Sequence, residues 1–345
     1  KREVVLPEGD AEAWPSVDVL IPTYNEGLDI LEVTVAAATQ IRYPSAKLHV
    51  YVCDDGGTKQ KLSDRDPHKA AAAAVRAASL RRLCDRVGAH YLTRERNENA
   101  KAGNLNSALP NVHGDLLLIL DADHVPTTDI LEHTVGLFQR DSELFLVQTP
   151  HFFVSPDPVE RNLGLFDRVP SETEMFYDGI QHGLDFWNAS FFCGSAALLR
   201  RANIDLVGGI HGESVVEDAE TALELHSLGK RSAFVNRPMV AGLQPETCAS
   251  FITQRVRWAQ GMLQVLMFKN PLGQKKLTFA QKLCYFNSSF FWLFCFARLV
   301  FLVAPAMYLV FGCQVYDANG REFIAYAVPH VLASLAVSAY LYGKI

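Results

Sequence analysis

Short apolar runs alternate with longer amphipathic stretches over most of this chain. Val17-Asp18-Val19-Leu20-Ile21 is a β-branched run ending at Pro22 and predicts a buried strand. Leu28 to Gln40 has helical spacing, and Leu48 to Val52 predicts a second strand, stopped by Asp54-Asp55-Gly56-Gly57. Ala70 to Val87 predicts a helix rich in Ala and Arg, with Gly88 suited to its C-terminal cap. His90-Tyr91-Leu92 predicts a short strand, Ala100 to Leu109 a helix, and Leu116 to Leu120 a strongly apolar strand that ends at Asp121-Ala122-Asp123. Strands alternating with helices predict an α/β fold with a mostly parallel sheet covered on both faces. Ligands in such sheets bind at the carboxyl ends of the strands. The acidic clusters at 54–55 and 121–123 are therefore expected in one crevice.

The pattern changes near Ala280. Residues 290–312 and 323–342 form two apolar runs, each long enough to cross a bilayer, which takes roughly 20 residues. Arg298 and Pro305 interrupt the first. The expected organisation is an N-terminal flank (1–16), an α/β catalytic domain (17–250), interfacial helices (251–282) and membrane segments (283–345). The ends, at Lys1 and Ile345, read as cuts in a longer membrane protein. A hydrophobic fraction of 49%, a charged fraction of 20% and a net charge of −6 exclude a disordered chain, and the mild acidity argues against nucleic acid as a partner. The seven cysteines are scattered without a CxxC pair, and are expected as reduced, buried thiols.

Several motifs can carry chemistry. Asp121 and Asp123, one residue apart after a buried strand, can hold Mg²⁺ or Mn²⁺ while leaving positions open for phosphate oxygens, with His124 as a further ligand. The carboxylates of Asp54 and Asp55 can accept hydrogen bonds from a nucleoside, and Tyr24 and Glu26 can add a stacking ring and another carboxylate. Lys101, near the start of a helix, suits a phosphate. Glu217 and Asp218 open another helix, and Asp218 is the candidate general base for an acceptor hydroxyl. On a later helix, Gln254 offers hydrogen bonds to the donor, Arg257 can clamp a departing diphosphate, and Trp258 offers a flat face to a sugar. Phe191, Cys193 and His151 are candidates for the wall of a sugar-chain entrance. Each motif alone has an ordinary alternative: a turn, a solvated charge, a helix cap or core packing.

Taken together, Asp54-Asp55-Gly56, Asp121-Ala122-Asp123, Glu217-Asp218 and Gln254-Arg255-Val256-Arg257-Trp258 resemble the D, D, D, QxxRW signature of processive family 2 glycosyltransferases, the bacterial cellulose synthase and curdlan synthase type. RNENAKAGN, LFLVQTPHFF, FFCGSAALLRR and AGLQPET strengthen the likeness, which runs from about Val17 to the first apolar run. The resemblance implies a GT-A fold followed by interfacial and transmembrane helices, and an inverting transfer from UDP-glucose to a growing β-glucan. In that scheme UDP lies across the Asp54-Asp55 and Asp121-Asp123 loops, the cation at Asp121 and Asp123, and Asp218 acts as base. Arg257 meets the diphosphate, and Trp258 and Cys193 border the acceptor. It also implies a bacterial inner-membrane location with a cytoplasmic catalytic domain, and accessory secretion subunits as partners. Val216 stands where cellulose synthases usually have Thr, and Asn99 where they usually have His. Val216 and, more, the overall likeness lean the expected product toward β-1,3-glucan, with β-1,4-glucan as the alternative and another β-polysaccharide such as chitin or hyaluronan behind it.

Overall fold

The structure is a computed structural model that describes residues 2, 4–166, 168–313 and 319–343. Lys1 and Ile345, the ends read as cuts, lie outside the described residues. Seven strands form the main sheet: β1 (Val17–Thr23), β2 (Leu48–Asp54), β3 (His90–Thr93), β4 (Leu116–Ile119), β6 (Leu144–Gln148), β8 (Ala197–Arg200) and β9 (Arg231–Phe234), in the order β3-β2-β1-β4-β8-β6-β9. Three short strands, β5 (Val125–Pro126), β7 (His151–Phe153) and β10 (Val240–Gly242), form a small sheet in the order β5-β10-β7. All strands of the main sheet are parallel except β8, which runs antiparallel to both β4 and β6.

The elements follow the predicted pattern closely. The helices are Leu28–Thr39, Pro67–Val87 and Ala100–Ala108. Pro67–Val87 starts ahead of the expected Ala70 because Asp66 caps it, accepting from the His68 N–H, and Gly88 closes it in the left-handed region at φ 77°. Strand β1 runs through Pro22 to Thr23. One face of the sheet packs Val19, Ile21, Val52 and Leu118 beneath Leu31 and Leu80. The other packs Leu20, Leu117, Phe145 and Leu199 against Leu105, Leu223 and Tyr285. Both faces are therefore covered, and the open edges of the site are the strand ends.

Beyond β10 the chain becomes helical: Cys248–Phe268, Phe279–Phe290, Phe294–Phe311 and Gly320–Tyr342. The last three supply two stretches long and apolar enough to cross a membrane. The flank is not loose. The Glu8 N–H donates to Gln139, and Gly136 leaves room for the Val5 and Leu6 carbonyls. All seven cysteines are free, but only Cys53 and Cys84 are buried; Cys248, Cys295 and Cys313 are exposed, which corrects the expectation of buried thiols.

Candidate active site

The strand ends gather the acids. Because β2, β1 and β4 are parallel neighbours, Asp54, Thr23 and the 120–123 turn emerge at one edge. Strand β8 starts at that edge, with Ala197 in register with both Ile119 and Gln148. The loop Cys193–Ala196 is thereby laid across the site. Gln148, fully buried, accepts from the Cys193 N–H and donates to the carbonyls of Ser195 and Ala196. Its clamp holds Ala196 at φ 51°, a conformation an alanine adopts only when its surroundings enforce it.

Asp121 forms an ion pair with Lys101, whose ammonium also donates to the Gly194 carbonyl at 2.8 Å. Burial opposes the charge on Asp121, but Lys101 keeps its carboxyl below the usual range. Asp123 is pushed the other way, first by burial and then by the nearby carboxylates of Asp121 and Glu26. Gly194, at φ 80°, is where the halves of the site meet: a Cβ there would sit 3.2 Å from Asp218 Oδ2 and 3.4 Å from Lys101 Nζ. Asp218 lies in the first turn of the helix Glu217–Ser227, and its Oδ1 accepts from the Ala219 N–H. Burial and the neighbouring Glu217 raise its carboxyl to about 7, against the partial restraint of Ala219 and Lys101. A carboxylate held there can accept a proton at neutral pH.

The remaining expected residues divide into those at the crevice and those behind it. Asp54 is fully buried: one oxygen takes the Gly56 N–H and Arg76, and the other takes the Tyr91 hydroxyl. Asp55 is held by Arg94 through two bonds of 2.6 and 2.7 Å. Both acids thus brace the wall of the crevice. Glu26 likewise folds back onto Thr23, Tyr24 and Asn25. Tyr24 is exposed, with the Lys61 ammonium 3.6 Å from its ring centre. His124 is buried and its Nδ1 meets Ser195 Oγ at 2.7 Å; no group of three His, Cys, Asp or Glu side chains converges as a metal cage among the described residues. The bond to Ser195 uses one ring nitrogen of His124 and fixes the ring's orientation, with Nε2 making no hydrogen bond among those of the described residues. His151 donates from Nε2 to the Ser195 carbonyl, and burial lowers its pKa to about 3, so it stays neutral. Phe191 packs in the core beside Phe176 and Tyr285, which corrects its placement at the acceptor wall. Cys193 is held by Gln181, and burial raises its thiol well above the usual value.

Gln254, Trp258 and Gly261 share one face of the helix Cys248–Phe268 through their i, i+4, i+7 spacing, and Arg257 is exposed beside them. Gly261 lets this helix touch the base turn: a Cβ there would meet Val216 Cγ1 at 2.5 Å. Further along, the Val215 N–H donates to Gln264, and Lys269 pairs with the buried Glu220 at 3.2 Å. Arg255 was not anticipated. Its guanidinium lies 4.8 Å from the Trp258 ring centre, also over Phe251, and pairs with Glu172. Arg94, Gln148 and Lys269 were missed as well. Gln148, a lone polar residue closing the apolar run LFLVQ, was the one with a readable signal.

The family described as Glycosyl transferase family 2 matches residues 18–207, and Glycosyl transferase family group 2 matches residues 116–339. The chain belongs to glycosyl transferase family 2. This family 2 chain is 42% identical over 344 residues, all but one of its own and 44% of the relative, to a protein of Pseudomonas fluorescens (strain SBW25) named cellulose synthase catalytic subunit [UDP-forming]. It is 43% identical over 300 residues, 87% of its length and 38% of the relative, to the protein of the same name in Xanthomonas axonopodis pv. citri (strain 306). The chain thus spans less than half the length of these relatives. Among solved structures, a mannosyltransferase of Pyrobaculum calidifontis in complex with GDP-Man and Mn²⁺ superposes with a TM-score of 0.60 at 21% identity, covering 99% of this chain and 89% of that one. S. aureus TarS with UDP-GlcNAc superposes with a TM-score of 0.51 at 14% identity, covering 82% of this chain and 74% of that one. The fold of the family 2 chain is GT-A, as the resemblance implied.

Proposed function

We propose that this chain is the catalytic part of a membrane-bound, processive, inverting synthase that transfers glucose from UDP-glucose to a β-1,4-glucan. The observation that carries the reading is the junction at Gly194, where Asp218, with its carboxyl raised to about 7, lies beside the Lys101–Asp121 pair. The ionised Asp218 takes the proton of an acceptor hydroxyl as that oxygen bonds to the anomeric carbon. The bond from that carbon to the diphosphate oxygen breaks, and UDP carries away the electron pair. Lys101 supports the diphosphate, with Arg257 approaching from the opposite helix; Trp258, backed by Arg255, receives the acceptor sugar. The crowding of Asp121, Asp123 and Glu26 fits a divalent cation, held by the two aspartates, that would neutralise charge on the leaving group.

The comparisons favour the β-1,4 alternative over the lean toward β-1,3-glucan. The named relatives are cellulose synthases. Val216, which contributed to the lean beside the overall likeness, is buried against Gly261. Relatives with UDP in their names support the donor. The two long apolar helices support placement in a membrane, and the reading puts the α/β domain on the cytoplasmic side, where the resemblance expects it. Full-length protein in nanodiscs, given radiolabelled UDP-glucose and Mg²⁺, is expected to yield insoluble product digested by β-1,4-glucanase alone. Release by β-1,3-glucanase alone would sink the linkage, and absence of any polymer would sink the synthase reading.

A further inference from the structure

Charge is unevenly distributed along this chain. Residues 247–316 contain seven Lys and Arg and no Asp or Glu, so they contribute +7 to a chain whose net charge is −6, leaving −13 for the rest. Four of the seven cations have a place. Arg255 pairs with Glu172, Lys269 with Glu220 and Glu224, and Arg298 lies over the Phe294 ring. Arg257 is on the crevice helix. Lys275, Lys276 and Lys282 remain, and no ion pair joins them to an acid among the described residues.

These three lysines sit where the longest apolar stretch begins. Phe279–Phe311 spans 33 residues. At 1.5 Å per residue this is about 50 Å, well beyond the ~30 Å hydrocarbon core of a bilayer. The surplus lies at the start, where the helix is two-faced. Gln281, Tyr285 and Ser289 are buried against the α/β domain, while Phe279, Leu283 and Phe290 are exposed, and Lys282 lies between them in sequence. Just upstream, Met267, Phe268 and Leu272 are exposed too; Met267 and Phe279 each show 76% of their surface. Exposed apolar side chains and lysines without an ion pair thus fall within residues 267–290, which is the composition of a segment that meets charged headgroups.

We propose that Lys275, Lys276 and Lys282 form a seat for anionic phospholipid headgroups, with Met267, Phe268, Leu272 and Phe279 entering the leaflet beside them. The inference rests on the membrane placement in the proposed function. It adds the class of lipid and the residues that select it. The seat would hold the far end of the Trp258 helix at a fixed depth, and through Lys269 and Gly261 the base turn as well.

The test uses full-length protein in nanodiscs and spin-labelled phosphatidylglycerol or phosphatidylcholine, with the fraction of motionally restricted lipid read by electron paramagnetic resonance. Phosphatidylglycerol is expected to associate several-fold more strongly, by up to about fivefold per lysine. The preference should shrink in high salt and in the Lys275→Gln/Lys276→Gln/Lys282→Gln variant, but not in Lys69→Gln, an exposed lysine on a distant helix. Equal association of both lipids, or a preference that the triple variant and each single variant retain, overturns the seat while leaving the membrane reading intact. Protein that never enters the discs overturns the membrane reading itself.

Discussion

Asp218 is balanced between opposing influences. Burial and Glu217 lift its carboxyl, and the Ala219 N–H and Lys101 restrain it, leaving it at about 7 against an ordinary 3.8. Its proton must be absent for base catalysis. The transfer rate is therefore expected to rise tenfold per pH unit below 7 and to level off above it, a profile that initial rates across pH 5–9 will check. Asp218→Asn should lose about 10²–10⁴-fold in rate with UDP affinity kept. The same raised pKa has a stability consequence. The folded state holds a proton that the unfolded state releases at lower pH, so the contribution is complete below about 3.8 and lost as pH rises through about 7. The amide of that variant cannot ionise, so it should melt higher than the parent above pH 7 and alike near pH 4. The sequence singled this acid out as a candidate from its place after the two earlier clusters. Its proton affinity was not legible, because that depends on burial and on a lysine 117 positions away in sequence.

At the scale of elements, the contact between the helix Cys248–Phe268 and the base turn decides whether donor and acceptor groups face each other. Gly261 is required because any Cβ would press on Val216. Gly261→Ala should reduce transfer by at least tenfold without weakening UDP binding, and Val216→Ala in the same chain should restore much of it. A double-mutant cycle on kcat reads the coupling. Every strand and helix expected before residue 120 is present within about three residues, since hydrophobic period and turn residues act locally. The protein partners of Asp54 and Asp55 were less legible, because Arg76, Tyr91 and Arg94 come from other elements.

Across the whole molecule, the helix that leads into the apolar region is also part of the catalytic domain. Tyr285 is fully buried beside Phe191, and its hydroxyl meets His226 Nδ1 at 2.7 Å; His226 in turn meets Ser232 Oγ. Burial lowers His226 to about 3, so this link is neutral across the physiological range. A chain ending at residue 278 should therefore melt several degrees below one ending at residue 293, even though neither holds a complete membrane span. Differential scanning fluorimetry in mild detergent distinguishes them.

The sequence alone determined the alternation of strands and helices, the sheet edge at which acids gather, the family and the two long apolar helices. These follow from periodicity and from short motifs whose residues are neighbours in the chain. Only the tertiary structure decided which partner each acid meets. Asp54, Asp55 and one ring nitrogen of His124 are each met by a partner brought from elsewhere in the chain. It also decided that Val216 packs against Gly261 of the helix Cys248–Phe268, because a side chain's neighbours across a packed interface are set by helix register and distance, which no local pattern records.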